Sequence, residues 1–153
     1  MNSIIVGGFI EKNGKFLLVQ EAKEICRGKW NIPAGRLEPK ESIFDGAKRE
    51  IFEETGCKVE LTGVLKVWNK ILEDGIWMSI IFSTKLLEEN ININKSEILD
   101  VKWFSYEEIL KMKDELRSPN WIINNLNVLI EKKQTDLSLI NIILNWQQNK
   151  FYK

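Results

Sequence analysis

The pattern of apolar and polar residues divides the chain into short strands separated by turns and helices. Runs of β-branched and apolar residues, bounded by polar or glycine-containing segments, predict strands. Asn13-Gly14 lies between the first two runs and predicts a tight hairpin turn. The predicted strands are Ser3–Glu11, Lys15–Glu21, Trp30–Gly35 (a short strand ending in a loop), Val59–Trp68, Ile76–Leu86 and Leu99–Phe104.

A helix is predicted between the third and fourth of these strands. Ser42, with Asp45 three residues later, is typical of a helix start. The helix is expected to run to about Thr55, where Gly56 suits a left-handed cap.

Two more helices are predicted after the last strand. Ser105 opens a capping-box pattern, and Ser118-Pro119 begins a helix through Val128. The apolar stretch Asp136–Trp146 fits a helix or a strand equally well. Strands that alternate with helices indicate an α/β fold, and we expect one domain over residues 1–153 with the tail after about residue 133 unassigned.

Composition narrows the class of protein. The chain has 153 residues, 44% of them hydrophobic, and 22 basic residues balance 22 acidic ones. A net charge of zero does not favour binding to nucleic acid polymers. The N-terminus has no basic leader region and no apolar run approaches the length of a membrane span, so no membrane partner is expected. Two cysteines without a CxxC pair suit a reducing, cytoplasmic location.

The chain contains no histidine. This excludes Ser-His and Cys-His nucleophilic catalysis and histidine-ligated zinc. Hydrolytic chemistry would therefore depend on carboxylates, a metal ion, lysine, tyrosine or cysteine.

Three carboxylates fall close together in the first predicted helix. Glu50, Glu53 and Glu54 stand at positions i, i+3 and i+4 and share one helix face. Like charges at this spacing repel by about 0.2–0.5 kcal/mol per pair. A hard divalent cation such as Mg²⁺ would offset the repulsion, whereas a solvated acidic face is the alternative from these residues alone.

The spacing of the neighbouring residues resembles the Nudix box of the MutT/Nudix hydrolase family. The matching positions are Gly35, Glu41, Arg49-Glu50-Ile51, Glu53-Glu54 and Gly56. Cys57 departs from the larger aliphatic residue that is usual after the last glycine. The resemblance implies a Nudix-type α/β/α sandwich with a mixed β-sheet. It also implies hydrolysis of a phosphoanhydride bond by metal-activated water, with Mg²⁺, or alternatively Mn²⁺, as the cofactor.

The resemblance assigns roles to these residues. Glu53 and Glu54 are expected to be metal ligands, and Glu50 a further ligand or the base that deprotonates the attacking water. Arg49 is expected to orient a neighbouring carboxylate, although an ordinary i,i+4 ion pair with Glu53 is equally compatible with the sequence. Gly35 is expected to bring a backbone carbonyl near the metal.

Other candidates lie outside the box. Some members of the family use a fourth acid from a later loop, for which Glu97 is the candidate and Asp100 the runner-up, in competition with a solvated role for both. Trp68 is the candidate for stacking on a base, in competition with a core-packing role. Basic side chains near the box could bind phosphates, and these are Arg27, Lys29, Arg36 and Lys40.

Three further segments, Trp30–Gly35, Val101–Phe104 and Glu115–Pro119, are similar to NudJ-type phosphatases within the family. That subgroup is associated with nucleoside tri- and diphosphates and thiamine pyrophosphate. The alternatives are an ADP-ribose or nucleotide-sugar pyrophosphatase and a non-catalytic, nucleotide-sensing Nudix domain. The expected partner is a small nucleotide or diphosphate substrate, and the chain is expected to be a monomer or a homodimer.

Overall fold

Two four-stranded β-sheets form the framework in the computed structural model, which describes residues 1–142. The strands are β1 (Ser3–Phe9), β2 (Glu11–Lys12), β3 (Lys15–Glu21), β4 (Trp30–Asn31), β5 (Ala34–Arg36), β6 (Lys58–Leu72), β7 (Gly75–Glu88) and β8 (Ile98–Ser105). The first sheet has the order β5-β1-β7-β6 and is mixed, because β1 runs parallel to β7 while the other pairs are antiparallel. In the second sheet, β3 pairs antiparallel with β2, β4 and β8.

Helices cover both sides of this framework. They are α1 (Ile43–Thr55), α2 (Tyr106–Lys111) and α3 (Pro119–Ile130), with single 3₁₀ turns at Glu24–Cys26, Lys113–Glu115 and Leu137–Leu139. Neighbouring strand residues point to opposite faces: Phe82 packs in the cluster that contains Ile51 of α1, and Ile81 packs in the cluster that contains Ile122 of α3. This arrangement confirms the predicted α/β/α sandwich.

Two strands that were predicted to be continuous are interrupted in the structure, so these two predictions were wrong in their bounds. Ser3–Glu11 is not one strand, because the chain leaves the ladder at Ile10 before the hairpin turn. Trp30–Gly35 breaks at Ile32-Pro33 because proline lacks the N–H that a ladder requires. The break leaves β4 in the second sheet and β5 in the first, so the predicted mixed sheet is one of two sheets.

The observed hairpins and C-terminal region can be compared with the elements predicted from the sequence. Asn13 and Gly14 both have positive φ, 52° and 74°, and form the predicted tight turn. Strands β6 and β7 are longer than predicted and meet at Glu73-Asp74. Leu137–Leu139 forms a 3₁₀ turn, whereas the part of the Asp136–Trp146 prediction beyond residue 142 lies outside the described residues. None of the described helices has the length and apolarity to cross a membrane.

Helix α1 begins and ends at its predicted caps. The Ser42 hydroxyl accepts a hydrogen bond from the Asp45 backbone N–H at 3.0 Å. Gly56 has φ 78°, in the left-handed region, and donates its N–H to the Phe52 carbonyl. These two caps set where α1 begins and ends.

We expect Gly56→Ala to destabilise the protein more than Gly14→Ala. Both glycines have left-handed φ values, 78° and 74°, and that conformation costs an L-residue about 1–2 kcal/mol. An added Cβ at Gly56 would also overlap the Asn90 carbonyl oxygen, whereas a Cβ at Gly14 meets nothing within 4 Å. Urea unfolding measures the difference, and equal losses in the two variants would contradict close packing behind Gly56.

Candidate active site

The acidic face of α1 packs directly against β5. The Ala34 backbone N–H donates to Glu54 Oε2 at 3.1 Å. The Glu50 side chain, only 13% exposed, lies against Gly35, where an added Cβ would overlap its carboxyl group. A glycine is therefore required at position 35 for this carboxylate to stay where it is.

Arg49 connects the carboxylates of this region. Its Nε and Nη2 donate to the two oxygens of Glu41 at 2.9 and 2.5 Å. Its Nη1 donates to Glu50 at 2.8 Å and to Glu53 at 3.1 Å, and Nη2 also reaches the Arg36 carbonyl at 3.1 Å. Arg49 thus forms the i,i+4 ion pair with Glu53 and bonds to Glu50 and Glu41 as well. The hydrogen bond from Arg49 lowers the pKa of Glu41.

Because the carboxylates on this face are partly or fully buried, their ionised forms are disfavoured unless a cation lies close to them. Burial raises the pKa of Glu50, against the opposing hydrogen bond from Arg49. Burial, followed by the nearby charges of Glu21 and Glu50, raises the pKa of Glu54 well above its usual value. Oxygen ligands that carry excess negative charge suit a hard divalent cation.

Within residues 1–142, no three acidic or cysteine side chains converge in an arrangement ready to hold a metal ion. Instead, the Arg49 guanidinium bonds to both Glu50 and Glu53, and its single charge offsets only part of theirs. The donor chemistry therefore fits a cation, while the ligand set of Glu50, Glu53 and Glu54 stays a prediction.

A buried carboxylate that was not predicted from the sequence lies beside the box. Glu21 ends β3 with a side chain only 4% exposed. Its Oε1 accepts hydrogen bonds from Asn31 Nδ2 and from Arg117 Nη1, both at 2.9 Å. An acidic residue at the end of an apolar strand was the available signal for Glu21, whereas nothing local pointed to Arg117. Lys23 was also missed, and its charge opposes the rise in the pKa of Glu54.

The predicted fourth acid lies at the edge of this region. The Glu97 carbonyl accepts from the Ala22 N–H at 3.0 Å, which places Glu97 beside the end of β3. Its side chain is exposed. Asp100 pairs with Lys102 at 3.4 Å. The structure records no bond from either residue to the glutamates of α1, so both assignments remain predictions.

The predicted basic residues are exposed around the box. Arg27 Nη1 donates to the Ala22 carbonyl at 3.1 Å, and Lys29 Nζ donates to the Asp114 carbonyl at 2.5 Å. Arg36 and Lys40 have exposed side chains. The arrangement leaves Arg36 and Lys40 accessible to a charged ligand.

Trp68 lies in a polar layer between the first sheet and α3. It stands opposite Ser79, whose hydroxyl accepts from Trp121 Nε1 at 2.8 Å. Asn125 Nδ2 in turn donates to the Trp121 carbonyl at 2.8 Å. Trp68 Nε1 and Asn125 Oδ1 are the buried side-chain polar atoms without a hydrogen-bond partner in the described part of the chain. Trp68 is therefore half-buried with an unused donor, rather than packed in an apolar core.

Comparisons with known proteins agree with this architecture. The NUDIX domain family model matches residues 1–124. Phosphatase NudJ of Shigella boydii is 35% identical over 122 residues, which cover 76% of this chain and 76% of that protein. The 8-oxo-dGDP phosphatase NUDT18 of mouse and of human is 32% identical over 104 residues. This alignment covers 66% of this chain and only 31% of the mouse and human proteins.

The solved structures include a NUDIX hydrolase from Nitrosomonas europaea that superposes with a TM-score of 0.83 and 25% identity, covering 94% of this chain and 98% of that one. The predicted similarity to NudJ-type phosphatases is confirmed by the relative from Shigella. The chain belongs to the MutT/Nudix hydrolase family.

Proposed function

We propose that the protein is a divalent-metal-dependent Nudix pyrophosphohydrolase that uses Mg²⁺ and cleaves a phosphoanhydride bond in nucleoside tri- or diphosphates or a similar diphosphate. The observation that carries the proposal is the packing of Glu50 and Glu54 against Ala34-Gly35. The name of one relative, an 8-oxo-dGDP phosphatase, supports nucleoside phosphates as the substrate class, and the name of another, a phosphatase, supports cleavage at a phosphate group.

The residues that would hold the ion are Glu50, Glu53 and Glu54, with the Gly35 carbonyl and Glu97 as further candidates. Carboxylate and carbonyl oxygens are the ligands that Mg²⁺ prefers, and Mn²⁺ accepts the same donors. When bound, the ion would polarise phosphoryl oxygens and lower the pKa of a bound water molecule.

Glu50 is suited to accept a proton from the attacking water. Burial raises its pKa, which brings it closer to the range in which a general base is effective. Arg49 holds one oxygen of Glu50 at 2.8 Å and is itself fixed by two bonds to Glu41. The Glu50 carboxylate is therefore oriented before substrate arrives, and orientation of this kind lowers the barrier to reaction.

We expect the substrate to lie beside this face. A cavity of about 270 Å³ adjoins Glu53 and is lined by Phe52, Glu53, Gly56, Asn92, Ile93 and Asn94. The exposed side chains of Arg27, Arg36 and Lys40 are candidates to bind phosphates. Trp68 stays the candidate for stacking on a base through the face of its ring, since its indole N–H is buried.

The test is a screen of the purified protein with Mg²⁺ against nucleoside di- and triphosphates, 8-oxo-dGDP, thiamine pyrophosphate, ADP-ribose and nucleotide sugars. Release of phosphate or pyrophosphate from a nucleoside phosphate is the expected result, and Glu53→Gln should abolish it. Turnover of ADP-ribose or nucleotide sugars alone would replace the proposed substrate class. The enzymatic proposal fails if no diphosphate is hydrolysed.

A further inference from the structure

The segment from Asn31 to Arg36 is held in place by four side chains. Three of them belong to α1: Glu54 accepts from the Ala34 N–H, Glu50 packs against Gly35, and Arg49 donates to the Arg36 carbonyl. The fourth side chain is Glu21, which accepts from Asn31 Nδ2 at 2.9 Å.

Glu21 fixes the start of this segment from the opposite side. Asn31 pairs with Val19 in the ladder between β3 and β4, and its side-chain oxygen accepts from the Ile32 N–H at 2.9 Å. The side chain of Asn31 therefore bridges Glu21 and the backbone at the point where β4 ends. Both Asn31 and Glu21 are buried, 6% and 3% exposed, so their bond is shielded from competing water.

Arg117 supplies the counter-charge that such a buried carboxylate requires. Its Nη1 donates to Glu21 Oε1 at 2.9 Å, while its backbone N–H donates to the Trp30 carbonyl at 2.9 Å. Arg117 is thus bound both to the carboxylate and to the residue that precedes Asn31. It stands just before α3, so the ion pair also connects the start of that helix to the acidic face.

We propose that Glu21 is a positioning residue for the carboxylates of α1, held in place by Arg117, and that together they set the position of the segment from Asn31 to Arg36. The inference rests on the proposed function, because it concerns the ion that these carboxylates would hold. Glu21 acts through Asn31 on the Ala34 N–H and on Gly35, which contact Glu54 and Glu50.

A positioning role predicts that removing Glu21 and removing Arg117 change the ion affinity in the same direction. Loss of either partner releases the segment, so Glu21→Met, which removes both acceptor oxygens, and Arg117→Gln should each weaken ion binding by about 10–100-fold, as for other residues that orient metal ligands. A purely electrostatic role predicts opposite directions: removal of the Glu21 charge weakens cation binding, and removal of the Arg117 charge strengthens it.

The experiment measures Mn²⁺ binding, by electron paramagnetic resonance of the free ion, and hydrogen exchange of the Ala34 amide in the full-length chain. The variants are Glu21→Met, Arg117→Gln and the double variant, with Glu88→Gln as control. Glu88 forms an exposed ion pair with Lys58 at 3.2 Å. We expect weaker binding and faster exchange in both single variants, no further loss in the double variant, and no change in the control.

Arg117→Lys keeps the charge and can replace the single bond from Nη1, so it should restore most of the Mn²⁺ affinity. Because Arg117 is 40% exposed, its variants test the inference even where Glu21→Met fails to fold. Unchanged Mn²⁺ affinity in folded Arg117→Gln, or tighter binding, would overturn the inference. Wild-type affinity in Glu53→Gln would instead show that the proposed metal site is wrong, which keeps the two failures distinct.

Discussion

Glu50→Gln should lower kcat by about 10²–10⁴-fold, the contribution typical of a general base, while the protein remains folded. Glutamine has the same shape, so it still fits against Gly35 and still accepts a hydrogen bond from Arg49 Nη1. It lacks the charge that a metal ligand or base requires. Because burial raises the pKa of Glu50, the folded state disfavours its ionised form, and removing the charge relieves that penalty.

The measurement compares kcat and the unfolding temperature of Glu50→Gln with those of Glu131→Gln. Glu131 is exposed and pairs with Lys133 at 2.7 Å, so its variant controls for the loss of one surface carboxylate. Activity within a few-fold of wild type in Glu50→Gln would remove this residue from the reaction. If Glu50→Gln loses activity because it no longer folds, Glu50 contributes to stability rather than to the reaction.

Local signals explain why the acidic helix was predictable. The Ser42 cap, the left-handed Gly56 and the i, i+3, i+4 spacing of the glutamates each depend on residues within a few positions of one another. The structure reproduces both ends of α1 because local hydrogen bonds set them. The position of Gly35 against Glu50 was implied only through the family resemblance.

The rest of the site depends on contacts between distant parts of the chain. The bond between Glu21 and Arg117 joins residues 96 positions apart, and neither residue has a local pattern that marks the pair. The split of Trp30–Gly35 into strands of different sheets follows from Pro33 together with the pairing partners of each half. A sequence without its tertiary contacts does not specify these partners.

Arg49→Met should lower the free energy of unfolding of the metal-free protein by about 1–3 kcal/mol, the cost of leaving partly buried hydrogen-bonding groups without their partner. Arg49 is 22% exposed and bonds to Glu41 and Glu50, which are 16% and 13% exposed. Without the guanidinium, these carboxylates repel one another with no compensating charge. Glu53, 51% exposed, contributes little because solvent screens it.

Lys48→Met is the matched control, since Lys48 precedes Arg49 on the same helix and pairs with Asp45 at 3.4 Å on the surface. Such exposed pairs contribute about 0–1 kcal/mol. Urea unfolding at low salt, with and without Mg²⁺, measures both variants.

Saturating Mg²⁺ should stabilise Arg49→Met more than it stabilises wild type, because the ion also replaces the missing positive charge. An ion that binds only the folded state contributes about 2.7 kcal/mol at a hundred times its Kd. A loss no greater than that of Lys48→Met would show that Arg49 does not stabilise the acidic face. A loss that Mg²⁺ leaves unchanged would place the cation away from these carboxylates, since a positive charge bound among them must replace part of what the guanidinium supplied.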